Sequence, residues 1–121
     1  MHIFVVDDNK DIVELLKNLL KSSGYDVSTS TSGKESLDLI RHENFDIVLL
    51  DITMPEFSGL DIVQSLKDSG DLEKNKIILF TAASISDEEI KKWKEFGVQG
   101  CLRKPFDPSV LFETLTNVSM K

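Results

Sequence analysis

Apolar residues in this chain come in short runs. Each run is followed by a longer stretch with apolar positions three and four apart, and the alternation occurs five times. The runs predict strands at His2–Val6, Asp26–Ser30, Asp46–Leu50, Lys76–Phe80 and Gln99–Leu102. The first, third and fourth contain "IFVV", "IVLL" and "IILF", almost unbroken. A strand with one wet face would alternate, so unbroken runs imply cover on both faces, as in a parallel sheet between helical layers. The second run, "DVSTS", is more polar and suits a sheet edge.

The intervening stretches predict five helices with readable starts. Asp8 or Asn9 can cap the first, with Ile12, Leu16, Leu19 and Leu20 inward and Gly24 at its end. Ser32, three residues before Glu35, reads as a capping box, with Leu37 and Ile40 inward. Ser58 opens a third helix with Ile62, Val63 and Leu66 inward, ending near Gly70. Ser86 and Glu89 give a second capping box, followed by Ile90, Trp93 and a stop at Gly97. Asp107 caps the last helix, Pro108 takes its first position, and Val110, Leu111, Leu115 and Val118 mark its inner face.

Repeated strand–helix units with right-handed crossovers build an α/β, doubly wound parallel sheet. In such a sheet all strand C-termini lie on one edge, where ligands bind. Asp7 and Asp8, Asp51, Thr81 and Lys104 all follow predicted strands. They are therefore expected on that edge together.

Length and composition narrow the class. A chain of 121 residues with 40% hydrophobic and 29% charged residues fits one globular domain with a real core. No apolar run approaches the ~20 residues of a membrane span, and the N-terminus lacks a signal-peptide pattern, so a cytoplasmic site is expected. A net charge of −7 argues against a nucleic-acid surface. The single Cys101 forbids an internal disulfide and reads as a small buried hydrophobe, and His2 and His42 alone make no tight zinc site. No Gly-rich phosphate loop is present, so no bound nucleotide is implied.

Each polar residue has a plain reading. Asp8 could be a helix cap, Thr81 a loop hydroxyl bonded to its own backbone, and Lys104 a solvated charge. As a set they have a chemistry. Three close carboxylates repel, and a hard cation such as Mg²⁺ relieves that repulsion. A carboxylate can carry a phosphoryl group, and the developing charge then needs a metal, an ammonium group and a hydroxyl or amide donor.

The blocks "IFVVDDN", "DIVLLDITMPEFSGLD", "IILFTA" and "RKPF" resemble the receiver domain of two-component response regulators, over essentially all of residues 1–121. The resemblance implies a flavodoxin-like fold with strand order 2-1-3-4-5. It implies that Asp51 accepts a phosphoryl group from a histidine kinase or histidine phosphotransfer protein, in a Mg²⁺-dependent reaction. Asp8 matches the direct metal ligand, Asp7 a ligand through water, and Asp51 itself and the Thr53 backbone carbonyl further ligands. Thr81 matches the switch hydroxyl and Lys104 its ion partner, with a cis bond expected at Lys104–Pro105. Such a domain is a signalling phosphoprotein rather than a classical enzyme. Its phosphorylation would switch binding of a downstream protein at the fourth helix, fifth strand and fifth helix. No output domain is expected within the chain.

One departure from the family pattern stands out. An aromatic residue usually lies three positions before the lysine, and here that position is Cys101. Trp93 could substitute as a reporter or simply pack. Thr53 and Ala83, which in the family flank the path of attacking water, do not fix the lifetime of the phosphoryl group. In the family the donor docks beside the first helix, where Leu15 either meets it or edges the core. Two alternatives stay open: a receiver-like module independent of phosphate, and a haloacid-dehalogenase-type phosphatase. The latter needs an acid two residues after the nucleophile, where Thr53 stands.

Overall fold

The computed structural model describes residues 1–82 and 84–120. The elements run β1 (His2–Val6), α1 (Lys10–Ser22), β2 (Asp26–Ser30), α2 (Gly33–His42), β3 (Ile47–Asp51), α3 (Gly59–Ser69), β4 (Ile77–Ala82), α4 (Asp87–Phe96), β5 (Gly100–Lys104) and α5 (Pro108–Ser119). A short 3-10 turn at Leu72–Lys74, absent from the sequence prediction, joins α3 to β4. All strand pairs are parallel, in the order β2-β1-β3-β4-β5. The doubly wound sheet expected from the alternation is therefore present, with the polar β2 at an edge.

Successive strand residues point to opposite faces, and each face has its own core. Phe4, Val6, Val48, Leu50, Ile77 and Leu79 pack with Ile40 of α2 and Ile62 and Leu66 of α3. Ile3, Val5, Ile47, Leu49, Ile78 and Phe80 pack with Leu16 and Leu20 of α1 and Leu111 and Leu115 of α5. Burying each such side chain contributes about 1.5–3 kcal/mol. The unbroken runs are thus explained by two layers of cover.

The structure corrects several boundaries. Asp46, Lys76 and Gln99 precede their strands, and β3, β4 and β5 extend to Asp51, Ala82 and Lys104. The parallel ladder continues through Asp51↔Phe80, Thr81↔Arg103 and Ala82↔Lys104, so the polar residues are the last rungs of the sheet. Asn9, not Asp8, caps α1, accepting from the backbone N–H groups of Asp11 at 2.9 Å and Ile12 at 3.2 Å. Ser32 and Ser86 accept from Glu35 and Glu89, but the reciprocal box forms at Ser58 and Asp61. Asp107 holds the cap position of α5 without a side-chain bond. Val110 is 43% exposed, because the inward stripe of Leu111, Leu115 and Val118 turns it outward. Cys101 is only half-buried.

α4 differs from the other helices. Among the described residues it contributes none to the fully buried core. Trp93 and Phe96 lie half-buried against one core cluster, so Trp93 packs there. Among the described residues no helix is long and apolar enough to cross a membrane.

Candidate functional site

The site lies at the C-terminal edge of the three central strands and β5. β1 and β3 are adjacent and in register at Val6↔Leu50, so Asp7 and Asp51 emerge side by side. Both are buried, at 1% and 5% exposure, and Thr81 at the end of β4 is 3% exposed. Asp8 is exposed. Asp7, Asp8 and Asp51 can each present a carboxylate oxygen within 4.8 Å of the other two. The Lys104 ammonium reaches in from β5 and donates to Asp7 Oδ2 at 3.1 Å and Asp51 Oδ1 at 3.2 Å. Backbone N–H groups add to this: Asn9 donates to Asp7 at 2.9 Å and Thr53 to Asp51 at 3.4 Å. The Lys104–Pro105 bond is cis, as the resemblance implied.

The charges do not balance. Burial raises the Asp51 carboxyl above its ordinary value, and the Asp7 charge raises it further; Lys104 and the Thr53 N–H oppose them without winning. Burial pulls the Lys104 ammonium down, but its bonds to Asp7 and the charges of both aspartates outweigh that and leave it raised. The two directions agree physically. Lys104 sees two carboxylates, whereas Asp51 sees one cation and a second carboxylate. An acid cluster with two buried members, short of positive charge and with oxygen donors only, suits a hard cation such as Mg²⁺.

Two glycines set the geometry from behind. A Cβ on Gly59, the first residue of α3, would overlap the carbonyl oxygen of Asp51 and crowd Ile52. A Cβ on Gly33, the first residue of α2, would overlap the carbonyl oxygen of Phe57. Both follow a cap serine, in "SGKE" and "SGLD", and this repeated pair was the unread signal in the sequence. Gly59→Ala is expected to cost about 1–3 kcal/mol through overpacking against backbone that cannot rotate away. Its urea midpoint should fall well below that of an exposed control such as Ser109→Ala; equal midpoints would refute the close-packing argument.

A cleft of about 760 Å³ opens from the acids toward α1. Ile12, Leu15 and Leu19 form one wall, Pro105 and Phe106 the other, and Asp51, Thr81 and Lys104 lie at its end. Leu15 is 66% exposed, so it is not the edge of the core. Thr53 also lines this cleft, and Ala83 lies outside the described residues. The five edge residues expected together are brought together. Sequence reasoning missed Arg103, whose guanidinium crosses to the β4–α4 loop rather than into the site.

Comparison with known proteins agrees with this fold. The model of the response regulator receiver domain matches residues 3–116. Response regulator SaeR of Staphylococcus epidermidis is 35% identical over 117 residues, 97% of this chain and 49% of SaeR, so the chain spans about half of that relative. The polar-differentiation response regulator DivK of Brucella ovis is 33% identical over 113 residues, covering 93% of this chain and 91% of DivK. Among solved structures, chemotaxis protein CheY4 of Vibrio cholerae superposes with a TM-score of 0.85 at 30% identity, covering 97% of each chain. TrrA of Thermotoga maritima, solved in complex with Mg²⁺–BeF, gives 0.82 at 34% identity and the same 97% of each chain. With a parallel sheet of matching order and an acid cluster at its ligand edge, the chain belongs to the response regulator receiver-domain family.

Proposed function

We propose that this domain accepts a phosphoryl group on Asp51 from a phosphohistidine of a kinase or phosphotransfer protein, and that Asp7, Asp8 and the Thr53 carbonyl hold Mg²⁺ beside it. The observation that carries this reading is the buried Asp51 carboxylate, one oxygen bonded to Lys104, within 4.8 Å of two further carboxylates. An Asp51 oxygen attacks phosphorus in line as the phosphorus–nitrogen bond breaks, and the bonding electrons leave with the imidazole. Lys104 and Thr81 donate to the transferring oxygens. Bound Mg²⁺ would supply further positive charge to those oxygens. That TrrA was solved with Mg²⁺–BeF supports the same ion here.

The apolar cleft between α1 and Pro105–Phe106 suits the donor, because it opens directly onto Asp51. We assign the downstream protein to the face of α4, β5 and α5, in a cytoplasmic setting. A phosphatase is disfavoured because Thr53 cannot act as the required carboxylic acid.

Acetyl phosphate with Mg²⁺ should add one phosphoryl group by intact mass, and chelation by EDTA should abolish uptake. Mg²⁺ at a hundredfold excess over Kd should stabilise the fold by about 2.7 kcal/mol, a rise in Tm of roughly 10 °C. Asp8→Ala should remove that rise. A rise that survives Asp8→Ala would refute the metal assignment.

A further inference from the structure

α4 is the helix the core holds least, and two cations grip its ends. At its C-terminus Lys67 of α3 donates to the Phe96 carbonyl at 3.0 Å and lies over the Phe96 ring, 5.1 Å from its centroid. At its N-terminus stands Arg103. Its Nε and Nη2 donate to the Ile85 carbonyl at 3.3 and 3.2 Å, and Nη2 also donates to Asp87 Oδ1 in the first turn. Arg103 is the ladder partner of Thr81. Strand alternation puts both on the face that carries Leu79 and Cys101, the face that α4 covers. One side chain therefore bridges the rung beside Thr81, the loop leading away from Thr81, and the start of α4. Cys101, two residues earlier on the same face, packs against the core cluster that also takes Trp93. Burial raises its thiol against the pull of Lys94 and Arg103, so it remains a neutral thiol.

We infer that Arg103 is a latch that holds the β4–α4 loop and α4 in the arrangement where Lys104 bonds Asp51 directly, a bond that a phosphoryl group on Asp51 would displace, so that the state of Thr81 is passed to α4 through this arginine rather than through position 101. The inference rests on the proposed phosphorylation of Asp51. When Thr81 turns toward a phosphoryl group, the Ile85 carbonyl moves with the loop, and the three bonds of Arg103 must break or shift together. An exposed ion pair with Asp87 alone would matter little. A guanidinium fork on a backbone carbonyl is directional, and it gives the loop a discrete position.

Removing the latch takes stabilisation from the phosphate-free arrangement only, so it must favour the phosphorylated one. Arg103→Ala is expected to bind beryllofluoride with Mg²⁺ about fivefold more tightly, read by fluorine NMR. It should also lose at least half of the change in Trp93 emission that beryllofluoride produces in the wild type. Arg103→Lys keeps the charge near Asp87 but not the fork, and should lie between. In the Thr81→Ala background Arg103→Ala should change neither quantity, since the path it serves is already cut. Wild-type affinity and a full Trp93 response in Arg103→Ala overturn the latch, as does an unchanged effect in the Thr81→Ala background. Intact mass after acetyl phosphate separates the two ideas. Normal uptake with an inert Arg103 sinks the latch alone, whereas no uptake by the wild type sinks both.

Discussion

Asp51→Asn is expected to abolish phosphoryl uptake and, in the metal-free protein at neutral pH, to raise Tm. The two effects have one cause. The proposed nucleophile must be a carboxylate, and it is held where a carboxylate is costly. Asp51 is 5% exposed beside Asp7, which is 1% exposed. Burial and the Asp7 charge raise its carboxyl above the ordinary value of 3.8. The folded protein therefore binds this proton more tightly than the unfolded chain does. Stability is fully present below 3.8 and is lost as pH rises through the folded value. The asparagine variant has no such loss.

The gap between variant and wild type should therefore be small in acid and open as pH rises. At neutral pH it should reach about 1–2 kcal/mol, or roughly 5 °C in Tm. Thermal melts in EDTA across this range, with intact mass after acetyl phosphate, test both halves. A variant less stable than wild type at neutral pH would refute the electrostatic argument. Continued uptake at the wild-type rate would refute the choice of nucleophile. Adding Mg²⁺ should narrow the stability gap, because the metal offsets in the wild type the same repulsion that the amide removes.

The sheet was legible because its signal is doubled. Runs such as Val48–Leu49–Leu50 leave no residue for solvent, and capped amphipathic stretches separate them. The strand order entered through the resemblance, since periodicity alone does not order strands. The acid edge was legible for a topological reason, as parallel strands send all their C-termini one way. What stayed hidden depends on contacts between elements distant in sequence. Gly59 looks like any residue after a cap serine until α3 is laid against the Asp51 carbonyl. Arg103 reads as one of two adjacent cations, and only the alternation of β5 sends Lys104 to the acids and Arg103 to the Ile85 carbonyl. Leu15 sits at the margin of the apolar stripe, and its place on the wall of the cleft beside Pro105 and Phe106 appears only in the folded chain.

Lys104→Ala should separate what the ammonium does for the fold from what it does for transfer. In the metal-free wild type, Lys104 is the cation bonded to both buried aspartates. Breaking a fully buried pair by removing one partner costs about 3–5 kcal/mol. Here the lysine side chain is 30% exposed, and one carboxyl can take up a proton instead, so a loss of about 2 kcal/mol is expected. The pH dependence has a definite sign. Lys104 is raised above its ordinary value of 10.5, so its stabilisation is complete below 10.5 and is lost as pH rises through the folded value. The variant should therefore approach the wild type in strong alkali, and also in acid, where the aspartates take up protons and no longer need the ammonium. Mg²⁺ should restore most of the lost stability, because a divalent ion at the acids supplies the missing positive charge. It should not restore the rate. A preorganised donor to the transferring oxygens is worth about 10²–10³ in rate, and an ion at the proposed Asp7–Asp8 site cannot also occupy the place of the ammonium. Lys104→Arg should recover stability better than rate, since a planar fork has the charge but not the compact shape. If saturating Mg²⁺ returned both stability and uptake to wild-type values, Lys104 would be a counter-ion for the fold and nothing more.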